Sequence, residues 1–157
     1  MTMTSGLPVP ALLREFHVNA RLGPLEDHGI TRAGHRRVVP IIGGTVTGSI
    51  EAEILASGGD WQLVRADGTV EIDTRYSLRT ADGDLIHLRT RGLRTGDPAV
   101  LEAILAGTEV SPADYYFRLV VEVESASPAY AHLERSVIIG VGGRSADRVF
   151  YDAYRLT

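Results

Sequence analysis

The sequence predicts an all-β, mainly antiparallel fold: a closed or nearly closed β-barrel with one short helix. Three observations carry this. Long stretches alternate apolar and polar residues with period two, as in Val70–Thr80, where Ile72, Thr74, Tyr76 and Leu78 interleave with Glu71, Asp73, Arg75, Ser77 and Arg79. Asp-Gly pairs at 67–68 and 82–83 stand between such runs and mark hairpin turns. A single stretch, Asp97–Gly107, has helical character, with Asp97 as cap, Pro98 in the first turn, Val100 and Ile104 with the neighbouring Leu101 and Leu105 on one face at helical spacing, and Gly107 as stop.

Taken in order, residues 1–10 are rich in Thr, Ser, Gly and Pro and are expected to be loose. Leu12–Leu22 reads as a strand, with Phe16, Val18 and Ala20 on one face. Gly23–Arg37 lacks a period and reads as a long loop. Val38–Ile42 is β-rich, and Gly43–Ile54 alternates around three glycines that suggest bends or close backbone approach. Ser57–Trp61 (SGGDW) reads as a turn entering a strand over Trp61–Arg65. The Val70–Thr80 strand returns as Leu85–Arg91. Tyr115–Glu124, Leu133–Val141 and Arg148–Leu156 complete the pattern as three further strands. The length of 157 residues fits one domain spanning 1–157.

Composition removes several kinds of chemistry. There is no Cys, which excludes disulfides, thiolate catalysis and Cys-ligated zinc. All 16 basic residues are Arg, so Schiff-base chemistry, Lys-bound pyridoxal phosphate and a Lys-bearing phosphate loop are excluded too. The five His residues do not pair at i, i+2 or i+4, so no local metal motif exists, and no metal or cofactor is expected. A net charge of −4 gives no basic footprint for nucleic acid. No apolar run reaches the roughly 18 residues of a membrane span, and no signal-peptide pattern opens the chain. A cytoplasmic protein without a membrane partner is the expectation.

Candidate site residues follow from strand faces. Asp73 and Arg75 share a polar face with Glu71, and an interior placement would let Arg fix a carboxylate or enolate oxygen. The competing reading is a solvent face held by Asp–Arg pairs. Asp60 lies beside Trp61, the chain's sole indole, and a carboxyl packed in apolar surroundings is suited to proton transfer. Tyr116 and Arg118 share a face, so a phenol and a guanidinium can converge. Tyr130, His132 and Glu134 align if their segment is a strand, with Glu134 orienting His132. Each of these also fits a turn, core or surface role.

The ordered motifs GGDW, DTRYSLRTADGDLI and YYFR resemble the bacterial and fungal family known as domain of unknown function 3237, over about Gly34 to Tyr154. The resemblance implies a closed antiparallel barrel, distantly like the allene oxide cyclase and dirigent barrels, and a homodimer. It adds weight to Asp60, Trp61, Asp73, Arg75, Thr90, Gly92, Tyr116, Arg118 and Tyr130, and implies no activity. Where the family pattern reads Tyr-x-Trp-Leu-Asn, Tyr130-Ala131-His132-Leu133-Glu134 stands here, with two added titratable groups.

The expected function is a cofactor-independent acid–base enzyme of cyclase, isomerase, hydratase or lyase type, acting on a small, partly apolar carbonyl compound inside the barrel. In this reading Asp60, or His132 backed by Glu134, moves the proton, and Arg75 and Arg118 stabilise the oxyanion. Trp61, Asp73, Tyr76, Thr90, Tyr116 and Tyr130 hold the substrate. The alternatives are a non-catalytic carrier of an apolar ligand and a filled structural barrel.

Overall fold

The computed structural model of the chain describes residues 5–157. Of the segment expected to be loose, residues 1–4 lie outside the described range, and residues 5–11 are exposed and form no strand. The strands are β1 (Leu12–Leu22), β2 (Glu26–Thr31), β3 (Gly34–Gly48), β4 (Ala52–Ile54), β5 (Gly58–Val64), β6 (Val70–Thr80), β7 (Leu85–Thr95), β8 (Tyr116–Ser125), β9 (Ile138–Arg144) and β10 (Arg148–Leu156). Helix α1 (Pro98–Leu105) follows β7, and the single turn α2 (Ala131–Glu134) precedes β9.

Every strand pairing is antiparallel. β4 and β5 pair with successive stretches of β3 and β6, so together they occupy one position in the sheet. The β1–β3 pairing joins the sheet's two ends into a closed eight-stranded barrel, with β2 as an extra strand on β3. Closure removes the free edges that a flat sheet of this size would expose. The backbones of β3 and β1 approach closely at Gly44 (φ +130°) and Gly48 (φ +115°), which lack a side chain to collide with the opposite strand and adopt conformations that side chains disfavour.

Period two decides what faces inward. On β6 Val70, Ile72, Thr74, Tyr76, Leu78 and Thr80 are buried, whereas Glu71, Asp73, Arg75, Ser77 and Arg79 face out. At one end of the barrel Phe16, Ile50, Leu78, Ile86, Leu88 and Ile138 pack as an aliphatic and aromatic plug, closed by Leu133 of α2. On β9, Gly140 and Gly142 leave space that the side chains of Leu119, Phe117 and Tyr151 fill. Leu88 is fully buried in the plug. Leu88→Ala is expected to cost about 2–5 kcal/mol, read as a lower urea midpoint with an unchanged slope.

Helix α1 crosses the opposite end. Asp97 Oδ1 accepts from the Ala99 amide (3.0 Å), and Gly107 follows with φ +78°, as the sequence pattern predicts. Leu101 and Ile104 point into the barrel mouth.

Three elements depart from the sequence expectation. Gly58, Gly59 and Asp60, expected as a turn, are already strand β5, paired with Ile41, Pro40 and Val39 of β3. Gly23–Arg37 is not a loop: β2 and the start of β3 form a hairpin there, with Gly29 and Gly34 at positive φ and Asp27 Oδ1 accepting from the Gly29 amide. No residue of β2 is buried on either face, so the segment carries no hydrophobic period. The strand expected over Leu133–Val141 begins only at Ile138, because Pro128 opens a helical stretch whose Leu133 turns inward. No helix among the described residues is long and apolar enough to cross a membrane.

Candidate functional site

The inward residues change character toward the α1 end. Directly opposed residues of neighbouring strands share a face. Asp60 of β5 opposes Thr74 of β6, which opposes Thr90 of β7. Thr74 and Thr90 are buried, and Asp60 is buried with them. Two residues further along β5, on the same face, comes Gln62, opposite Arg37 of β3. Arg94 of β7 lies one step beyond Gly92 on that strand's inner face. Arg144 ends β9 opposite Val149. The sheet therefore rolls one acid, one amide and three guanidiniums into the same end of the barrel.

Their hydrogen bonds form a chain. Asp60 Oδ1 accepts from the Asp73 amide (3.1 Å) and Oδ2 from Gln62 Nε2 (2.7 Å). Gln62 Oε1 accepts from Arg37 Nη2 (3.0 Å). The Arg94 guanidinium lies over the Phe117 ring, 5.5 Å from its centroid, with 2% of its surface exposed. The Nε groups of Arg37 and Arg94 are buried without a hydrogen-bond partner among the described residues. Arg144 is held at its backbone, whose amide donates to Tyr115 Oη (2.8 Å). Deeper in the lumen, the hydroxyls of Tyr76 and Tyr151 meet at 2.6 Å.

Burial sets the proton affinities. Desolvation raises the Asp60 carboxyl above its ordinary range, against the opposing pull of its hydrogen bonds and of Arg94. Burial pulls the Arg94 guanidinium down to about 10, with Arg144 nearby adding repulsion. Arg37 and Arg144 are lowered mainly by burial as well. Desolvation pushes both Tyr76 and Tyr151 upward, so both stay protonated.

Two spaces meet at Arg94. A central void of about 20 Å³ is lined by Asp60, Thr74, Tyr76, Thr90, Arg94 and Tyr151 among others, room for a water molecule or one small group of a ligand. A larger cavity of about 400 Å³ lies at the mouth under α1, lined by Arg37 and Arg94 on its inner side and by Val64, Val70, Leu101 and Leu105.

Of the residues singled out in the sequence, Asp60, Tyr76 and Thr90 reach the lumen. The others do not. Asp73 and Arg75 face out, where Arg75 and Arg89 pair with Asp73 at 3.8 and 3.3 Å, because the alternate face of β6 carries the apolar residues that the core needs. Trp61 is 43% exposed, since burying its neighbours Asp60 and Gln62 turns it outward. Tyr116 and Arg118 do converge, with the guanidinium 5.0 Å from the ring centroid, but on the outer surface. Tyr130, His132 and Glu134 do not share a strand face. His132 and Glu134 are exposed on α2 at the far end, and Glu134 Oε1 accepts from the Ser125 amide (2.6 Å). Arg75→Ala and Arg118→Ala are therefore each expected to shift stability by less than about 0.5 kcal/mol and to leave ligand affinity unchanged in a calorimetric titration.

Arg37, Gln62, Arg94, Arg144 and Tyr151 were not among the residues singled out. Period two carried the signal for two of them. Gln62 shares a face with Asp60, and Arg94 shares one with Thr90 once the strand is extended past Arg91.

The family model described as Protein of unknown function (DUF3237) matches residues 10–156. The chain belongs to this DUF3237 family. A UPF0311 protein of Bradyrhizobium diazoefficiens is 33% identical over 141 residues, covering 90% of this chain and 93% of that one. Among solved structures, a Rhodopseudomonas palustris conserved protein of unknown function superposes with TM-score 0.90 at 31% identity, over 96% of this DUF3237 chain and 99% of the other. A β-barrel-like protein of Acinetobacter baumannii superposes with TM-score 0.84 at 39% identity, over 98% and 100%. A Penicillium herquei protein described as an enzyme shares the fold at 19% identity, with TM-score 0.72 over 99% and 100%.

Proposed function

We propose that the chain is a cofactor-independent acid–base enzyme of cyclase, isomerase, hydratase or lyase type, acting on a small, partly apolar carbonyl compound whose reacting end enters the barrel. The observation that carries this reading is Asp60: a buried carboxyl, raised in proton affinity and held by Gln62 and the Asp73 amide, beside a void lined with hydroxyls and a guanidinium. In this reading Asp60 takes a proton from the carbon next to the carbonyl, and the electron pair moves onto the carbonyl oxygen. The tyrosine pair has two hydroxyl protons and shares one between its oxygens. The second proton is free to be donated to that oxygen, and the Arg94 charge stabilises it further. Return of the proton from Asp60 to another carbon completes an isomerisation. Collapse of the enolate with bond formation or with loss of a leaving group gives cyclisation or elimination.

The Penicillium herquei protein supports the reading only as far as the fold: the same barrel occurs in a protein described as an enzyme. The proposed chain works in the cytoplasm on a small molecule, and the exposed Tyr116, Val120 and Val141 on the outer face of β8 and β9 favour the homodimer implied by the family resemblance. A second reading, a carrier of an apolar ligand, is favoured by the Val64, Val70, Leu101 and Leu105 lining of the mouth cavity.

The test is proton exchange. The protein is incubated in deuterated water with a panel of small ketones, β-keto acids and unsaturated carbonyl compounds, and carbon-bound deuterium is followed by NMR. Exchange that depends on Asp60 supports the enzyme. Absence of exchange across the panel, together with tight binding of any member, supports the carrier.

A further inference from the structure

We infer that the α1 end of the barrel binds the carboxylate of an organic acid between Arg37 and Arg94, with the acid's apolar chain in the cavity under α1. This names the substrate class of the site proposed above, and rests on that reading for what happens after binding.

Three observations converge on it. The first is charge. Arg37, Arg94 and Arg144 gather around one buried acid, Asp60. The other acids near these guanidiniums are exposed: Asp67 and Glu102 at the rim, where Asp67 Oδ1 already accepts from the Thr69 amide (2.9 Å), and Asp27 opposite Arg37, whose Oδ1 accepts from the Gly29 amide and meets His35 Nε2 (2.8 Å). A protein interior seldom keeps guanidiniums in excess of carboxylates unless an anion completes the set.

The second is hydrogen bonding. The Nε groups of Arg37 and Arg94 are closed off from water and have no acceptor among the described residues. A buried donor left unmade is unfavourable, the more so on a charged group. Both side chains border the mouth cavity, and Arg94 borders the central void as well. A carboxylate at this neck meets the cavity-facing edges of both guanidiniums, and the planar fork of Arg matches its two oxygens.

The third is the rest of the cavity. Val64, Val70, Pro98, Leu101 and Leu105 give it an apolar lining, and its volume of about 400 Å³ lies in the range of small-ligand pockets. A head held by Arg and a tail among these residues describes an organic acid with an apolar chain. The carboxylate end of such an acid is its innermost part, on the side of Asp60, whose side chain is linked to Arg37 through Gln62.

The experiment is isothermal titration calorimetry with hexanoate and with hexanamide, which share an apolar chain and differ in charge. Hexanoate is expected to bind at least tenfold more tightly than hexanamide. Arg94→Gln and Arg37→Gln are each expected to weaken hexanoate tenfold or more, while Arg118→Gln leaves it unchanged. Should Arg94→Gln fail to fold, Arg37→Gln carries the comparison. Equal binding of acid and amide, binding of neither, or hexanoate affinity untouched by the folded Arg variants overturns the inference. Asp60→Asn separates it from the acid–base reading. Removing the one acid buried among the described residues leaves hexanoate affinity equal or higher, whatever happens to exchange. Arginine-dependent binding without exchange leaves this inference standing and sinks the enzyme. Asp60-dependent exchange without acid binding does the reverse.

Discussion

Replacing Asp60 with Asn is expected to slow deuterium exchange about 10²–10⁴-fold, the range by which a positioned general base contributes. The amide keeps the size of the carboxyl but has one accepting oxygen, so it retains the bond from Gln62 or the bond from the Asp73 amide and not both, and the urea midpoint reports that structural loss apart from the loss of the base. The pH profile carries the more specific signature. An unfolded Asp titrates near 3.9, and burial raises the folded Asp60 above that. Exchange therefore rises with pH through the folded value as the base ionises. Stability moves the other way. Below the unfolded value Asp60 is protonated in both states and burial exacts no charge penalty. Between the unfolded and folded values the unfolded chain gives up its proton while the native chain retains it, so stability falls as pH rises until the folded value is passed. Wild-type urea midpoints are expected to contain this declining component, and those of Asp60→Asn to lack it. An Asp60→Asn protein that exchanges at the wild-type rate removes Asp60 from the chemistry. Identical pH dependence of the midpoints shows that its carboxyl is not held in the raised state.

The barrel was readable because period two is strong wherever one face is buried. The alternation of Phe16, Val18 and Ala20, and of Ile72, Tyr76 and Leu78, specifies inner faces that the structure keeps. The Asp-Gly turns and the capped α1 were readable because their chemistry is local. The site was half readable for a physical reason. Strand alternation divides residues into two faces but does not label them, and polar residues that line a lumen look the same in sequence as polar residues in water. On β6 the apolar set settled the question and sent Asp73 and Arg75 outward. On β5 the inner set is polar, Asp60 and Gln62, and the large apolar residue Trp61 is the outer one. The usual assignment of the indole to the core fails there. Arg37 was hidden because the β2–β3 hairpin has no hydrophobic period of its own. Arg144 was hidden because its neighbours Gly142 and Gly143 carry no side-chain pattern.

Gly44→Val is expected to destabilise the barrel by about 3–5 kcal/mol, a large share of the roughly 5–15 kcal/mol that holds a domain of this kind together. Two causes add at this position. Its φ of +130° lies where a β-branched residue is strained by about 1–3 kcal/mol. A Cβ there would also run into the backbone carbonyl of Asn19 and lie 2.9 Å from the Ala20 Cα. These are main-chain atoms of β1, fixed by the Asn19–Thr45 and Ala20–Gly44 register and by pairing to β10 on the other side. They cannot yield without opening the β1–β3 seam, the junction that closes the sheet. Gly83→Ala is the matching control, since Gly83 also has positive φ (+88°) but nothing within 4 Å of its added Cβ. It is expected to cost about 1 kcal/mol, the backbone share alone. Urea midpoints of the two variants compare strain plus collision with strain by itself. A Gly44→Val protein no less stable than Gly83→Ala would mean that the seam is loose enough to part by a side chain's width, and that the lumen is not sealed along β1 as the structure has it.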